Sequence, residues 1–171
     1  PFLQPFGYTA IEAGGSLPSR FSGVVLANEF FDALPVDLME MRGGTLHYLD
    51  VGWRDERFTF VPGGDVSSEI AEYAARYAPE MREGERMEVC LAALEWVDRI
   101  ADSFSSGTVL VIDYGLTRRE RIRFPEGTLM SYRGHRADAG VLKDPGARDI
   151  TAHADFDALR DRFELRGFRA A

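Results

Sequence analysis

Gly23-Val24-Val25-Leu26-Ala27, closed by the polar pair Asn28-Glu29, is the stretch that decides the fold of this chain. An unbroken apolar run that stops at polar residues reads as a strand buried on both faces, the kind found in parallel sheets. A second run of the same type, Thr108-Val109-Leu110-Val111-Ile112, is closed by Asp113-Tyr114-Gly115. Between the two lies the clearest helical pattern: Cys90, Ala93, Leu94, Val97, Ile100, Ala101 and Phe104 recur at helical spacing. Strand, long helix and strand, with acids at both strand ends, is an α/β signature. Ligands of such folds sit at the carboxyl ends of the strands.

Outward from the first strand, Phe30 to Leu34 makes a short turn that Pro35 closes. Val36–Arg42 and Thr45–Val51 then flank Gly43-Gly44, a two-residue loop suited to the positive φ angles of a tight hairpin. Phe58-Thr59-Phe60-Val61 could add a strand, ended by Pro62-Gly63-Gly64. A helix capped by Asp65 follows, with apolar positions Ile70, Tyr73, Ala74 and Tyr77, until Pro79 stops it. Residues 36–80 therefore read as a hairpin and helix placed between the two buried strands. Residues 1–20 are irregular, broken by Pro5, Gly7, Gly14, Gly15 and Pro18. Beyond the second strand, Thr128–Arg133 is extended, Gly134–Arg148 is a polar loop, Ile150–His153 is a short extended piece, and Asp155 caps a last helix running to about Arg162.

The 171 residues suit a single domain, 1–171, of ordinary globular composition. The chain starts at Pro1 rather than Met, and reads as a piece of a longer protein. A net charge of −8 offers no phosphate-neutralising excess, so no nucleic-acid partner is expected. Nothing approaches the roughly 18 consecutive apolar residues of a spanning helix, and the start lacks signal-peptide architecture; no membrane partner is expected. A single cysteine, Cys90, forms no internal disulfide and suits a reducing compartment. These features fit a bacterial cytoplasm, or a mitochondrial matrix for a eukaryotic source. All but Lys143 of the 20 basic residues are Arg, which coding bias explains more simply than chemistry.

Three clusters could carry chemistry. In Asn28-Glu29-Phe30-Phe31-Asp32, two carboxylates past a buried strand could bind a cation, a guanidinium or a proton in flight, or simply form a polar strand exit with Asp32 as a cap. Asp113-Tyr114-Gly115 can line the same crevice. Tyr132-Arg133-Gly134-His135-Arg136 and Asp149-Ile150-Thr151-Ala152-His153 bring two histidines, which with Glu29 or Asp32 raise a two-His-one-carboxylate metal pattern. No H-E-x-x-H spacing supports that pattern, and no metal is expected. There is no G-x-S-x-G, and Cys90 on a core-facing position reads as an inert thiol. There is no G-x-G-x-x-G, and Gly14-Gly15 is too short to cradle a phosphate. His47 reads as surface, and Arg118-Arg119-Glu120-Arg121 as a solvated loop.

Taken together, these residues resemble a known family. Val24-Val25-Leu26-Ala27-Asn28-Glu29-Phe30-Phe31-Asp32-Ala33-Leu34-Pro35-Val36 is similar to a signature of the MidA-like methyltransferases, whose mitochondrial relatives methylate an arginine on a respiratory complex I subunit. Leu110-Val111-Ile112-Asp113-Tyr114-Gly115 resembles a second signature. Gly127-Thr128-Leu129, Tyr132-Arg133, His135-Arg136, Asp144-Pro145-Gly146, Asp149-Ile150-Thr151-Ala152-His153 and Asp155-Phe156 resemble a third. The likeness covers roughly residues 20–168.

The resemblance implies an S-adenosyl-L-methionine-dependent methyltransferase with an incomplete Rossmann-like sheet. In it, the strands at 23–28 and 108–113 would be the fourth and fifth, with the hairpin and first helix as an insertion over the crevice. By the same likeness Asn28 would lie near the cofactor's methionine end, with Glu29 and Asp32 facing the acceptor nitrogen of a protein substrate. Asp113, Tyr114, Arg133, His135, Asp149, Thr151 and His153 would be substrate contacts. The family's glycine-rich cofactor loop and following acid have no counterpart in residues 1–20. A parallel sheet cut this way would expose an apolar edge, which favours self-association into a homo-oligomer. Two alternatives stand beside an arginine methyltransferase: a non-catalytic interaction or assembly module derived from that fold, and a metal-dependent hydrolase using His135 and His153.

Overall fold

The computed structural model describes residues 7–12, 15–134, 136–138 and 140–171. The elements run β1 (Phe21–Asn28), β2 (Asp37–Arg42), β3 (Thr45–Arg54), β4 (Arg57–Asp65), α1 (Ser68–Tyr77), β5 (Arg86–Val89), α2 (Leu91–Ser103) and β6 (Phe104–Ile112). Then come β7 (Gly115–Leu116), α3 (Arg118–Arg121), β8 (Met130–Arg133), β9 (Arg136–Asp138), β10 (Asp149–Thr151), β11 (Ala154–Asp155) and α4 (Phe156–Leu165). The architecture is mixed α/β, with several small sheets around two apolar clusters.

β1 and β6 pair in parallel, from Val24 opposite Thr108 to Asn28 opposite Ile112. The pairing begins at Phe21 opposite Phe104 and, after a register shift, brings Gly23 against Gly107. A Cβ on Gly107 would stand 1.9 Å from the Gly23 carbonyl oxygen, and its φ is +132°, so only glycine fits. The expectation that both strand faces are buried is corrected. Ala27 and Val111 pack on Trp96 and Val97 of α2 and Leu159 of α4. On the opposite face Val24 is 71% exposed and Ile112 50%. The apolar run is continuous, but α2 and α4 both pack on one side of the pair.

The inserted sheet has the order β4-β3-β2-β5, antiparallel throughout. Gly43 and Gly44 take φ of 59° and 75°, the two positive values of the expected tight hairpin. One face of this sheet, carrying Met39, Leu46, Met87 and Val89, is closed by Ile70, Tyr73, Ala74 and Tyr77 of α1. Those four helical residues are the ones picked out by spacing. β4 does not stop at Pro62 as expected: it runs to Asp65, with Pro62 opposite Leu49 and an irregular register towards His47. β4 is an edge strand, so a proline without an N–H costs no ladder bond there. Asp65 is therefore not the helix cap. Ser67 is, its Oγ accepting from Ile70 N–H at 3.3 Å, while Asp65 pairs with His47 at 3.2 Å. β5 went unread in the sequence and adds the fourth strand at residues 86–89.

Arg118–Arg121 is a short helix with a capping box between Thr117 and Glu120, not a solvated loop. Arg121 turns inward and pairs with buried Asp155 at 2.9 Å. Asp155 caps α4, as expected, by accepting from Ala158 N–H, and also accepts from the Tyr73 hydroxyl at 3.1 Å. One carboxylate thus ties α1, α3 and α4 together. No helix among the described residues is long and apolar enough to cross a membrane.

Replacing Asp155 by Ala leaves the buried Arg121 guanidinium uncompensated and α4 uncapped. A loss of about 3 kcal/mol in urea unfolding is expected, against less than about 1 kcal/mol for the exposed Arg133–Asp144 pair broken by Asp144→Ala. Equal losses would show that the Asp155 junction is not a keystone.

Candidate active site at the strand ends

Where β1 ends the chain turns sharply, and Glu29 adopts φ 46°, a left-handed backbone that non-glycine residues rarely take. Its N–H is fixed on the Ile112 carbonyl of β6 at 2.8 Å. The next two amides, Phe30 and Phe31, donate to Asp113 Oδ2 at 3.0 and 2.7 Å. Asp32 follows, 6% exposed, its backbone carbonyl accepting from Ala152 N–H at 3.0 Å. A strained residue held by the neighbouring strand is a mark of a functional turn.

This turn forms the floor of a cavity of about 880 Å³, a size that accepts a long side chain or small ligand. Glu29 and Asp32 line it together with Tyr114 past β6 and with Asp149, Thr151 and His153 of the β10 strand and its exit. A second wall is the inserted sheet, through Leu38, Phe60 and Arg86. A third is the 126–134 segment, including Glu126, Thr128 and Tyr132.

Buried Glu88 holds that third wall. Its Oε1 accepts from the Thr128 and Leu129 amides at 2.8 and 3.0 Å, and Oε2 accepts from the Thr128 hydroxyl at 3.1 Å. Thr128 Oγ1 in turn accepts from His153 N–H at 2.9 Å. Gly127, at φ 83°, passes so close that a Cβ would meet Glu88 Oε1 at 2.3 Å. The His153 ring stands edge-on to Phe124 with 5.3 Å between centroids, and its buried Nδ1 has no partner among the described residues.

Glu29, Asp32, Tyr114, Asp149, Thr151 and His153, picked out from sequence, are thus brought to one cavity. Others are not. Asn28 is exposed at the end of β1 and outside the lining. Asp113 lies beneath the turn, with one oxygen taken by the two amides. Arg133 points away and pairs with Asp144 at 3.0 Å. His135 lies outside the described residues, as does Gly14 of the glycine pair. Glu88, Phe60, Arg86 and Thr128 were not singled out for the site; an acid inside Arg86-Met87-Glu88-Val89 was the available signal for Glu88. No group of three metal-ligating side chains occurs among the described residues. Burial pushes the Cys90 thiol above its ordinary pKa, and its Sγ lies 3.3 Å from the Pro35 carbonyl, as an inert thiol would.

The cavity is acidic: Glu29, Asp32, Glu126 and Asp149 face one cation, Arg86, whose Nε is engaged by Glu40 at 3.0 Å. Burial, then the charges of Asp113 and Glu29, raise the Asp32 carboxyl to about 6. An arriving cation would reverse that repulsion.

A model of a family of S-adenosyl-L-methionine-dependent methyltransferases matches residues 8–171. The chain belongs to this family. It is 30% identical over 166 residues to the mitochondrial protein arginine methyltransferase NDUFAF7 of Danio rerio, covering 92% of this chain and 35% of that protein. It is 28% identical over 156 residues to the Xenopus laevis protein of the same name, covering 84% and 32%. A COG1565 superfamily member from Burkholderia thailandensis, solved bound to S-adenosyl-homocysteine, superposes with TM-score 0.78 at 32% identity, over 89% of this chain and 40% of that one. The chain therefore spans about a third of the length of these curated relatives.

Because folded Asp32 holds its proton more tightly than an unfolded carboxyl near 3.8, stability falls as pH rises from about 4 to about 6 and stays lower above. Asp32→Asn removes that penalty and offers Asp113 an N–H. The variant is expected to be more stable than the parent at pH 8 by on the order of 1–2 kcal/mol, with the gap closing below pH 4. Urea unfolding at the two pH values checks this.

Proposed function

We propose that this chain carries the acceptor side of a protein arginine N-methyltransferase, in which Glu29 and Asp32 hold the substrate guanidinium. The observation that carries this reading is the carboxylate pair on a strained strand exit, on the floor of an acidic cavity. The relatives, protein arginine methyltransferases by name, suggest the arginine, and the substrate we infer is a polypeptide, of the respiratory-complex kind that the sequence resemblance implies. The parallel β1–β6 pair with α2 on one face fits two strands of a Rossmann-like sheet.

S-Adenosyl-L-methionine, when bound, supplies a sulfonium methyl group for in-line transfer. The described residues fit only one end of it: Asn28 and Glu29, at the carboxyl end of a parallel strand, are where its methionine end would lie. No glycine-rich turn for the nucleoside occurs after a strand among them.

A guanidinium is a planar fork with a pKa above about 12. Two carboxylates can grip it bidentately, fix its plane and draw positive charge away from the attacking nitrogen. Glu29, exposed at the strand exit, is the electrostatic anchor. Asp32, below it and largely dry, is placed to take the proton that the nitrogen sheds. The apolar side of the cavity, Leu38 and Phe60, suits the methylene stem of an arginine. Since the chemistry is a displacement, orientation outweighs base strength.

The test is methyl transfer from labelled S-adenosyl-L-methionine to an arginine peptide, with the same peptide bearing citrulline or lysine as controls. Label is expected on arginine alone, and Glu29→Gln is expected to cut kcat/KM by about a hundredfold. Arginine peptide binding without transfer would instead favour an interaction module. Binding of citrulline as tightly as arginine would contradict the guanidinium assignment.

A further inference from the structure

We propose that Asp113 is a positioning residue that clamps the 29–32 turn with one carboxylate oxygen and shares a single proton with Asp32 through the other. The inference rests on the acceptor-site reading for its use in transfer, but the shared proton needs neither substrate nor cofactor.

The two oxygens of Asp113 are in different situations. Oδ2 is satisfied by the Phe30 and Phe31 amides. Oδ1 is buried and has no hydrogen-bond partner among the described residues. Within hydrogen-bond reach of this side chain is the Asp32 carboxyl, whose main neighbouring charges are Asp113 itself and Glu29. Two ionised carboxylates in that contact repel, and each leaves an acceptor facing an acceptor. One proton between them converts the clash into an O–H···O bond and gives Oδ1 its missing donor. Asp113 spends Oδ2 on the two amides, so the donor that Oδ1 lacks is the Asp32 carboxyl.

The other groups facing Asp32 do not replace this partner. Glu29, on the same turn, is a like charge that is exposed to water. Ala152 N–H, from the segment packed against the turn, engages the Asp32 backbone carbonyl, and the backbone donor to the carboxyl itself is the adjacent Ala33 N–H. Among the described residues, Tyr114, Tyr132 and His153 are the other titratable groups on the adjoining walls, with Asp149, Glu126 and Arg86 further round the cavity.

The division of labour follows. Glu29 holds the cation. As the acceptor nitrogen forms its bond to the methyl carbon, that carbon's bond to sulfur breaks and sulfur keeps the electron pair. The resting proton having left for water when the cationic guanidinium docks, the nitrogen's N–H bond then breaks and its proton takes the vacated place on Asp32, facing Asp113 Oδ1. Asp113 touches neither substrate nor cofactor; it acts through Asp32.

The test is a 13C NMR titration of the chain with labelled aspartate carboxyls, Asp32 being assigned by its loss in Asp32→Asn. A midpoint near 6 is expected in the parent. Asp113→Asn is expected to lower it by about one pH unit, and Glu29→Gln by less. A parent midpoint in the ordinary carboxylate range, or one that Asp113→Asn leaves unmoved, overturns the proposal. Should Asp113→Asn fail to fold, infrared spectra of the parent decide. A protonated-carboxyl band at pH 5.5 that vanishes in Asp32→Asn supports the shared proton, and its absence from the parent refutes it. No cofactor or peptide is needed, so the proton pair can fail while methyl transfer succeeds, and the reverse.

Discussion

The parallel pairing of β1 with β6 is the constraint on which the rest depends. It is in register to its last residues, Asn28 opposite Ile112, so both strands end at one level. The chain leaving β1 is therefore beside the chain leaving β6, and Asp113 can reach back to the Phe30 and Phe31 amides. Without that reach, the left-handed Glu29 and the turn behind it would have no reason to persist. The strain is held by four hydrogen bonds: Glu29 N–H to Ile112, two amides to Asp113, and Ala152 N–H to the Asp32 carbonyl.

Around this fixed turn, the walls are hung from buried polar groups rather than from apolar packing alone. Glu88 reaches across from the inserted sheet to three donors of the 128–129 segment, and Thr128 passes the connection to His153. Asp155 does the same on the far side, joining α1, α3 and α4. The insertion is thus bolted to the strand-end region at two points, one facing the cavity and one behind it. A buried carboxylate with several donors is costly to leave half-satisfied, so each junction forms completely or fails.

Much of this was legible in the sequence because the signals were local. Two apolar runs ending in acids marked the parallel strands; Gly43-Gly44 marked the hairpin; the spacing of Ile70, Tyr73, Ala74 and Tyr77 marked α1. Of the cavity, Glu29, Asp32 and Tyr114 were legible by position at the strand ends, and Asp149, Thr151 and His153 as substrate contacts by likeness to a family. What escaped depended on partners far along the chain. β5 is four residues long and gains its identity by pairing with β2. Glu88 looks like a surface acid until residues 127–129 fold over it. Arg121 sits in a run of charges that reads as solvated, and only its meeting with Asp155 takes it inside. The exposed face of β1 could not be read either, because an apolar run records what a strand can bury, not which helices reach it.

The central claim is that the strand-end carboxylates are a guanidinium site. A crystal structure of the chain grown with Nα-acetyl-arginine amide tests it most directly. The account predicts the guanidinium seated between Glu29 and Asp32, its stem against Phe60 and Leu38. A guanidinium seated instead on Glu126 or Asp149, with Glu29 and Asp32 free, would contradict it.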